Sequence, residues 1–482
     1  MPIPPPFAPK ACDEMKGHTE MKGQNARMGK KEMDTMLDLA DQIVFLGERA
    51  TGATNLLQCV WTYDRAINMD GLHRFHHHLL KGRLSRHVER SPLPFGRHRW
   101  VSPNDTPAIE ITQARPREEF GAWLREQTNT PLDYEHGPAW HLAVLPFTDG
   151  GTGLSLVISH GLADGVGLTM ALADAASGRD DSISWPPAGS RRRWRALRQD
   201  ARQSVRDMPS VGRAIVAGAR MARHARREVA ASVPTCAPIS APDEYIDIPA
   251  ATVFVDMGSW DAVATSLGGT SNSLLAGFAA KFAQRVGRVT AGEGLATLAV
   301  PINERVDGDT RANAVGNADV TVDPRKVTTD LREVRAAVKE ALIRVQEVPD
   351  ERFALLPVVP FLPKRLVRRM VSVAAGSTTA VCSSNLGDVA AATSRPDGTE
   401  ADSFSMRSLY TRVPRATMHR AGGLLGLLSG RIDGQVFVSV LAYDPARPRS
   451  NRQLQEAIFS TLADFSLTAT MQWDSQLYEI AA

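Results

Sequence analysis

The sequence is poor in cysteine and lacks any long apolar run. Its cysteines are scattered and show none of the spacings of metal or redox sites, which fits a reducing compartment. They are Cys12, Cys59, Cys236 and Cys382. The apolar stretches are interrupted and fall far below the roughly 20 residues that a membrane span requires. We therefore expect a cytoplasmic protein with no bound metal or cofactor.

Other absences narrow the function further. The glycine-rich segment 421–426 lacks the Lys-Ser or Lys-Thr of a phosphate-binding loop. No carboxylate motif accompanies a cluster of histidines, so we interpret them as solvent-facing rather than as zinc ligands. They are His73, His76, His77 and His78. Residues 1–34 contain Met, Lys, Pro and Gly without an apolar core, which predicts a disordered leader rather than a secretory signal.

The net charge of +3 hides a strong local asymmetry. Between residues 191 and 228, twelve arginines stand against Asp200, Asp207 and Glu228, a local excess of +9, so the rest of the chain carries −6. Apolar residues at 194, 197, 201 and 205 have helical spacing. A second helical piece is predicted at 211–225, after Pro209.

Two interpretations of segment 191–228 remain open. Arginine-rich amphipathic helices bind anionic membrane or lipid-droplet surfaces, which predicts a peripheral membrane contact. The alternative is a solvated, salt-bridged connector between two halves of the protein. Nucleic-acid binding is not expected, because the segment lacks interleaved aromatic residues and any known nucleic-acid motif.

Alternating helices and strands predict a mixed-sheet α/β protein, and 482 residues are too many for one compact core. Apolar periodicity predicts helices at 36–48, 69–80, 116–127, 166–176, 271–286, 329–346 and 451–465. It predicts strands at 55–63, 252–256, 295–303, 378–383 and 435–443, and near residues 100 and 109–112. A hairpin is expected from 137–145 and 154–158, with its turn at 149–152.

The most informative motif follows the apolar run at 154–158. It reads Ser-His-Gly-Leu-Ala-Asp-Gly-Val-Gly-Leu at residues 159–168. A strand end would hold His160 where substrate can reach it, and histidine suits proton transfer near neutral pH. Asp164 can neutralise a cation and brace the loop, and Gly165 is expected to supply backbone angles closed to other residues.

His160, Asp164 and Gly165 form the pattern His-x-x-x-Asp-Gly, which resembles the signature of the chloramphenicol-acetyltransferase-like superfamily. Further segments resemble that superfamily in the same order, including its wax ester synthase/diacylglycerol acyltransferase and condensation-domain members. They are 137–145, 269–280 with Thr270 or Ser271 as N-cap, 299–305 with Gly316 and Asn317 downstream, and 382–387. The resemblance spans about residues 35–445.

Two departures limit the subfamily. Many members carry a second histidine just before the catalytic one, and Ser159 stands there in this chain. The Asp-Phe-Gly-Trp-Gly motif of plant acyltransferases is absent near the C-terminus. The plant subfamily is therefore not expected.

The resemblance implies two chloramphenicol-acetyltransferase-like halves, each a mixed sheet with flanking helices, and an active-site tunnel at their interface. We expect an N-terminal half at 35–180, a basic amphipathic linker at 181–245 and a C-terminal half at 246–482.

The resemblance also implies an acyltransferase with His160 and Asp164 as its catalytic residues. His160 would act as general base, while Asp164 would pair with an arginine, for which Arg305 is the candidate. Ser384 or Asn385 would donate to the oxyanion. The acyl group would pass from a thioester, with acyl-CoA as co-substrate, to a long-chain alcohol or diacylglycerol. The alternatives are a condensation-like or polyketide-associated acyltransferase with an acyl carrier protein donor, and a non-catalytic acyl-binding protein.

Overall fold

The computed structural model describes residues 35–473 except 104–105, 180–182, 229–243, 307, 348–352 and 368–379. The expected leader at 1–34 and part of the expected linker lie outside the described residues. The helices are α1 (Leu39–Thr51), α2 (Met69–Leu79), α3 (Phe120–Thr128), α4 (Gly165–Ala176), α5 (Arg193–Glu228), α6 (Met257–Ser266), α7 (Ser271–Val286), α8 (Arg332–Glu347), α9 (Arg415–Arg420) and α10 (Asn451–Ala463). Shorter 3-10 segments are Arg117–Glu119, Phe353–Phe361 and Ala391–Ser394.

The strands of the first half of the chain are β1 (Thr54–Tyr63), β2 (His87–Glu89), β3 (Arg99–Val101), β4 (Ile109–Ile111), β5 (Trp140–Pro146) and β6 (Thr152–Ser159). Those that follow are β7 (Tyr245–Ile246), β8 (Ala250–Asp256), β9 (Ala296–Asn303), β10 (Val315–Val322), β11 (Val381–Asp388), β12 (Ser403–Thr411), β13 (Val413–Pro414), β14 (Leu424–Ile432) and β15 (Gln435–Tyr443).

The first lobe is built on a sheet with strand order β12-β1-β6-β5-β4. Strands β1, β6 and β5 are antiparallel neighbours, and β5 and β6 form the expected hairpin. Strand β6 is buried along its whole length, as its run of apolar residues requires. Ile158, near its end, pairs with Leu57 on one side and Trp140 on the other. This double pairing fixes the position at which the motif leaves the sheet.

The second lobe is built on a sheet with strand order β10-β9-β11-β14-β15-β8. Strand β11 runs parallel to β9 and β14, while the other neighbours are antiparallel. Helix α7 packs on this sheet through buried Leu274, Phe278 and Phe282. Thr270 is its N-cap, because the Thr270 side chain accepts from the Ser273 N–H. The architecture is the expected mixed α/β fold with two sheets.

Strand β12 joins the two lobes. It follows β11 of the second sheet in the chain, but it lies in the first sheet as the antiparallel neighbour of β1. The Ser439 hydroxyl on β15 donates to the Met406 carbonyl on β12 at 2.8 Å. Arg407 on β12 is buried and donates to Gln58 Oε1 at 2.7 Å. The lobes therefore cannot separate unless β12 leaves one of them.

Helix α5 differs from the two pieces that the sequence suggested, because it continues through Pro209 as one helix. Pro209 is exposed, so its ring takes no room in the packed face. Buried Asp200 and Val211 hold the helix to the protein on either side of it. No helix among the described residues combines the length and the apolar character that crossing a bilayer demands.

Several strands do not follow from the sequence pattern. Strands β10, β12 and β14 were not predicted, and β11 was predicted to end near residue 383, whereas the strand continues to Asp388. Glycines at 423 and 426 and polar residues in β12 obscure the apolar alternation on which strand prediction depends.

Gly71 offers a test of the packing between α2 and the loop that leads to β12. A Cβ at Gly71 would lie 1.8 Å from the Asp397 carbonyl oxygen, whereas nothing lies within 4 Å of one at Gly212 in α5. We expect Gly71→Ala to lower the free energy of unfolding by about 1–3 kcal/mol. Gly212→Ala should raise it by up to about 1 kcal/mol, because alanine favours helix.

Urea unfolding of the two variants beside the wild type measures both effects. Equal stability of the two alanine variants would contradict the close approach of Asp397 to α2.

Candidate active site

His160 lies directly after β6. Its backbone N–H donates to the Asn55 carbonyl at 2.8 Å, which extends the pairing of β6 with β1 by one residue. Protein surrounds the imidazole, although part of the residue stays accessible, as in a recess. The strand end thus fixes the position of His160, which is partly accessible.

The protonation of His160 follows from these surroundings. Burial lowers the pKa of His160 below its ordinary value. The negative charge of Asp164 opposes this shift, as do hydrogen bonds to the His160 backbone carbonyl and to the Asn313 side chain. At pH 7 the ring is therefore neutral and can accept a proton, and these same groups stabilise the cation that would form.

Asp164 is the N-cap of α4, and its Oδ1 accepts from the Gly167 N–H at 2.6 Å. Its Oδ2 accepts from Arg305 Nη2 at 2.7 Å and from the Ala314 N–H at 2.8 Å. The carboxylate is buried, and each of its oxygens has a protein donor. This arrangement suits a positioning residue that holds the loop, not a group that exchanges protons with a substrate.

Arg305 pairs with Asp164, as the resemblance implied. It lies at the start of the loop 304–314, which connects β9 to β10 in the second lobe. Besides Asp164, its guanidinium donates to the carbonyls of Arg311 at 2.9 Å and Ala312 at 3.1 Å. The side chain is only 3% exposed. One buried guanidinium therefore fastens the His160 motif to the second lobe.

Asp41 on α1, which was not predicted as a site residue, holds the same loop. Its carboxylate accepts from the backbone N–H groups of Ala312 and Asn313, both at 2.8 Å, and from Asn313 Nδ2 at 3.2 Å. Burial raises the pKa of Asp41, and the charge of Arg86 and these hydrogen bonds oppose the shift. Asp41 thus holds Asn313, a residue that helps to raise the pKa of His160.

Arg86 completes the connection between the motif and the loop 304–314. Its Nη2 donates to the Leu162 carbonyl at 2.8 Å and its Nη1 to the Thr310 carbonyl at 2.5 Å. The guanidinium is fully buried and lies over the Trp100 ring, 4.2 Å from its centroid. Arg83 donates to the neighbouring Asp309 carbonyl at 2.5 Å. These contacts connect residues 309 and 310 of the loop to the first lobe.

The residues that were not predicted differ in how visible they are in the sequence. Asp41 is an acidic residue beside the apolar run 43–46 in a predicted helix, which is a visible signal of a buried acid. Arg83, Arg86 and Asn313 have no such signal, because their partners lie far away in the chain.

A buried carboxyl lies behind the motif. Tyr134 Oη donates to Glu48 Oε2 at 2.9 Å, and a Cβ at Gly161 would lie 2.3 Å from that phenol oxygen. Ser159, which replaces the first histidine of many relatives, is fully buried and its Oγ accepts from the Gly161 N–H at 3.2 Å. Burial raises the pKa of Glu48 to about 7, against hydrogen bonds from Tyr134 and Ser159 among others.

The expected role of Gly165 needs correction. Gly165 begins α4 and does not have a positive φ, so the turn does not require its conformational freedom. A Cβ there would instead lie 2.8 Å from Leu386 Cδ2 on β11. Gly165 makes room for a side chain of the second lobe, and β11 reaches the start of α4 at this point.

Leu386 also locates the two residues named as oxyanion donors. Ser384 and Asn385 precede it on β11, and both are half-buried. Asn385 Oδ1 accepts from the Gly387 N–H at 2.9 Å, and Asn385 Nδ2 donates to Asn272 Oδ1. At most one amide hydrogen of Asn385 therefore remains for a ligand. The Ser384 hydroxyl stays the better candidate donor.

The histidine cluster on α2 differs in part from the expectation. His73 and His77 are exposed, but His76 is half-buried. Its Nε2 lies 2.7 Å from the Pro107 carbonyl, and its ring meets the edge of Trp140. Burial lowers the pKa of His76. Over the described part of the chain, the cluster does not converge with a third metal-binding side chain.

The described residues contain one convergent group of ligand-type side chains, formed by Asp133, Glu135 and His136. Arg49 pairs with both carboxylates, and Arg90 pairs with Glu135. These guanidinium groups already compensate the negative charge that a metal ion would need.

Glu48 yields a pH-dependent prediction. The folded protein keeps a proton on Glu48 up to about pH 7, whereas the unfolded chain releases it near the ordinary value of 4.5. The stability of the wild type therefore falls as the pH rises through this window. Glu48→Gln keeps an acceptor for Tyr134 but does not titrate. At pH 8 it should gain up to about 3 kcal/mol relative to the wild type, since one pKa unit is about 1.4 kcal/mol.

The measurement is urea unfolding of both proteins at pH 5 and pH 8. Exposed Glu118, replaced by Gln, is the matched control and should give the same difference from wild type at both pH values. A Glu48→Gln protein that behaves like this control would contradict the buried, protonated carboxyl.

The Asp164–Arg305 pair yields a second prediction. Arg305→Met removes the cation but leaves the Asp164 carboxylate buried, so we expect a loss of about 3–5 kcal/mol in unfolding free energy. The exposed pair Asp323–Arg325 is the control, and Arg325→Met should cost about 1 kcal/mol or less. Urea unfolding of the two variants, measured beside the wild type, compares the two losses in unfolding free energy. Similar losses from both would show that the buried pair does not hold the lobes.

The fold of the protein is similar to that of several solved structures. Neither a protein-family model nor a curated protein sequence matches the chain. Among solved structures, the first condensation domain of the CDA synthetase is similar at a TM-score of 0.54 and 14% identity, over 92% of this chain and 98% of that one. Polyketide synthase associated protein 5 from Mycobacterium tuberculosis is similar at a TM-score of 0.52 and 14% identity, over 90% and 98%.

The nonribosomal peptide synthetase FmoA3 is similar at a TM-score of 0.51 and 16% identity. The match covers 90% of this chain but only 42% of FmoA3, so the chain spans less than half the length of that protein. The two sheets, the crossing strand β12 and the His160 motif between the lobes therefore give this protein the two-lobed, chloramphenicol-acetyltransferase-like fold of condensation domains.

Proposed function

We propose that the protein is an acyltransferase that moves an acyl group from a thioester, with acyl-CoA as the donor, to a hydroxyl acceptor. The observation that carries the proposal is the state of His160. It is neutral at pH 7, partly accessible and fixed where the motif of the first lobe meets the loop 304–314 of the second. A general base needs this combination of protonation state and access.

His160 would take the proton from the acceptor hydroxyl while its oxygen attacks the thioester carbonyl carbon. A carbon–oxygen bond forms, and the carbon–sulfur bond breaks as the tetrahedral intermediate collapses. His160 then returns the proton to the departing thiolate, so the histidine ends as it began. The Asn313 side chain and the charge of Asp164 stabilise the transient imidazolium.

Other residues of the site have supporting roles in this mechanism. Asp164, Arg305, Asp41 and Arg86 hold the loop and the motif at a fixed separation. The tetrahedral intermediate carries an oxyanion that needs a hydrogen-bond donor. We assign this role to Ser384, with the remaining amide hydrogen of Asn385 as a second candidate.

A long-chain alcohol or diacylglycerol is the acceptor class that we favour, as the resemblance to wax ester synthase/diacylglycerol acyltransferases implied. The structural neighbours favour a second candidate. Two of the three are condensation domains or peptide synthetases by name, and the third is a polyketide synthase associated protein. A donor acyl group on an acyl carrier protein would use the same histidine and the same proton transfers.

The test is the release of free thiol by purified protein. Acyl-CoA donors of increasing chain length are combined with pooled alcohol, diacylglycerol and amine acceptors, and carrier-bound donors are run beside them. We expect acceptor-dependent release that His160→Ala reduces by about 10²–10⁴, the usual contribution of a general base. The exposed His73, replaced by Ala, is the matched control and should retain full activity.

The pH profile gives an independent criterion. Because burial lowers the pKa of His160, the acidic limb of activity should lie below the ordinary histidine value of about 6.5. A folded His160→Ala protein with full activity would sink the mechanism. Acyl-CoA binding without thiol release from any donor would favour the acyl-binding alternative instead.

A further inference from the structure

Helix α5 is fixed to the protein through its acidic face. Asp200 is almost fully buried and accepts from Ser91 Oγ at 2.6 Å and from Arg191 Nη1 at 2.9 Å. Two turns further along, Asp207 is half-buried and lies 4.0 Å from Arg97. The acidic side chains of the helix between residues 193 and 220 thus face inward.

A second face of α5 is apolar and exposed. Its residues recur at intervals of 3, 4 or 7, so they form one stripe along a helix of 3.6 residues per turn. The stripe consists of Trp194, Ala201, Val205, Met208, Gly212, Ile215 and Ala219. Trp194 is 84% exposed and Val205 is 70% exposed. The stripe is about 38 Å long at 1.5 Å per residue. Large apolar side chains are seldom presented to water in such a row.

A third face carries arginines and lies beside the apolar stripe. Its members are exposed: Arg195, Arg198, Arg202, Arg206, Arg213 and Arg220. Arg213 donates to the Ser210 hydroxyl. Across the described residues, none of the six is in an ion pair with a carboxylate. Their positive charge is therefore available to a partner.

We propose that α5 lies on an anionic lipid surface, with the apolar stripe in the interface and the arginine face against the lipid phosphates. The charge of the exposed face complements anionic headgroups, and the stripe supplies the apolar contact that a purely electrostatic partner does not need. This inference does not rest on the acyl-transfer chemistry, since none of the described side chains of α5 is among the groups that shift the pKa of His160.

The length of the stripe favours a lipid surface over an acidic protein. A flat surface can contact the whole stripe of about 38 Å at once, including both ends. Trp194 at one end and Ile215 near the other are 84% and 59% exposed, so nothing in the described protein covers them. An acidic protein such as a carrier domain would be drawn to the arginines, but it would leave much of the apolar stripe in water.

The test is flotation of the full-length protein with vesicles of phosphatidylcholine alone, or of phosphatidylcholine with 30% phosphatidylglycerol as a chosen composition. We expect binding to the anionic vesicles only, weakening as salt screens the arginines. The triple variant Arg195→Gln, Arg198→Gln and Arg202→Gln should lower the partition coefficient at least tenfold. The variant Val205→Ser with Met208→Ser should also lower it, at unchanged charge.

Matched controls come from exposed residues elsewhere. Arg344→Gln with Arg452→Gln removes surface arginines outside α5, and Ile111→Ser removes an exposed apolar side chain. These controls should float like the wild type. Thermal unfolding should be unchanged in the α5 variants, because the altered side chains are exposed.

Absence of wild-type binding to anionic vesicles, or equal binding by the α5 and control variants, would overturn the proposal. Loss of turnover with carrier-bound donors alone, at unchanged vesicle binding, would also overturn it and would assign the helix to an acidic carrier protein. Thiol release from a water-soluble acyl-CoA reports the acyl-transfer proposal separately and should be the same in all these variants.

Discussion

The structure of the site depends on buried charge pairing across the two lobes. Two carboxylates of the first lobe, Asp41 and Asp164, accept hydrogen bonds from three consecutive backbone N–H groups of the second lobe, at residues 312–314. Arg305 compensates Asp164, and Arg86 lies close enough to Asp41 to affect its charge. A buried charge without a partner lowers the stability of the folded protein, so these groups are held close to their present positions. The motif and the loop 304–314, which surround His160, are therefore held rigidly.

Much of the architecture could be predicted from local pattern. The run at 154–158, the hairpin before it and the helix after Asp164 have strong periodicity, and each lies close to its predicted bounds. The Asp164–Arg305 pair could be predicted from the resemblance to the superfamily, because both residues belong to segments that resemble it. The contacts of Asp41 and Arg86 with the loop 304–314 were not predictable in this way, since these partners lie more than two hundred residues away in the chain and follow no local spacing.

Gly165 and Pro209 show why other features of the structure could not be predicted from the sequence. Each residue type predicts a particular local structure, but here tertiary packing determines its role. Glycine suggests an unusual turn, but Gly165 is needed because Leu386 of the other lobe approaches it. Proline suggests a helix end, but Pro209 stays within α5 because it faces outward and neighbouring residues are anchored. Both features depend on contacts with residues that are distant in the chain, and a single sequence does not show which distant residues will be in contact.

The position of β12 has a consequence for how the protein is made. During synthesis, β1 emerges early, yet its outer neighbour β12 ends only at residue 411. Until then the growing first lobe presents β1 as an open edge, and such edges pair readily with other chains. Final folding of the first lobe therefore waits for most of the second, and a fragment that ends before β12 should be prone to aggregate.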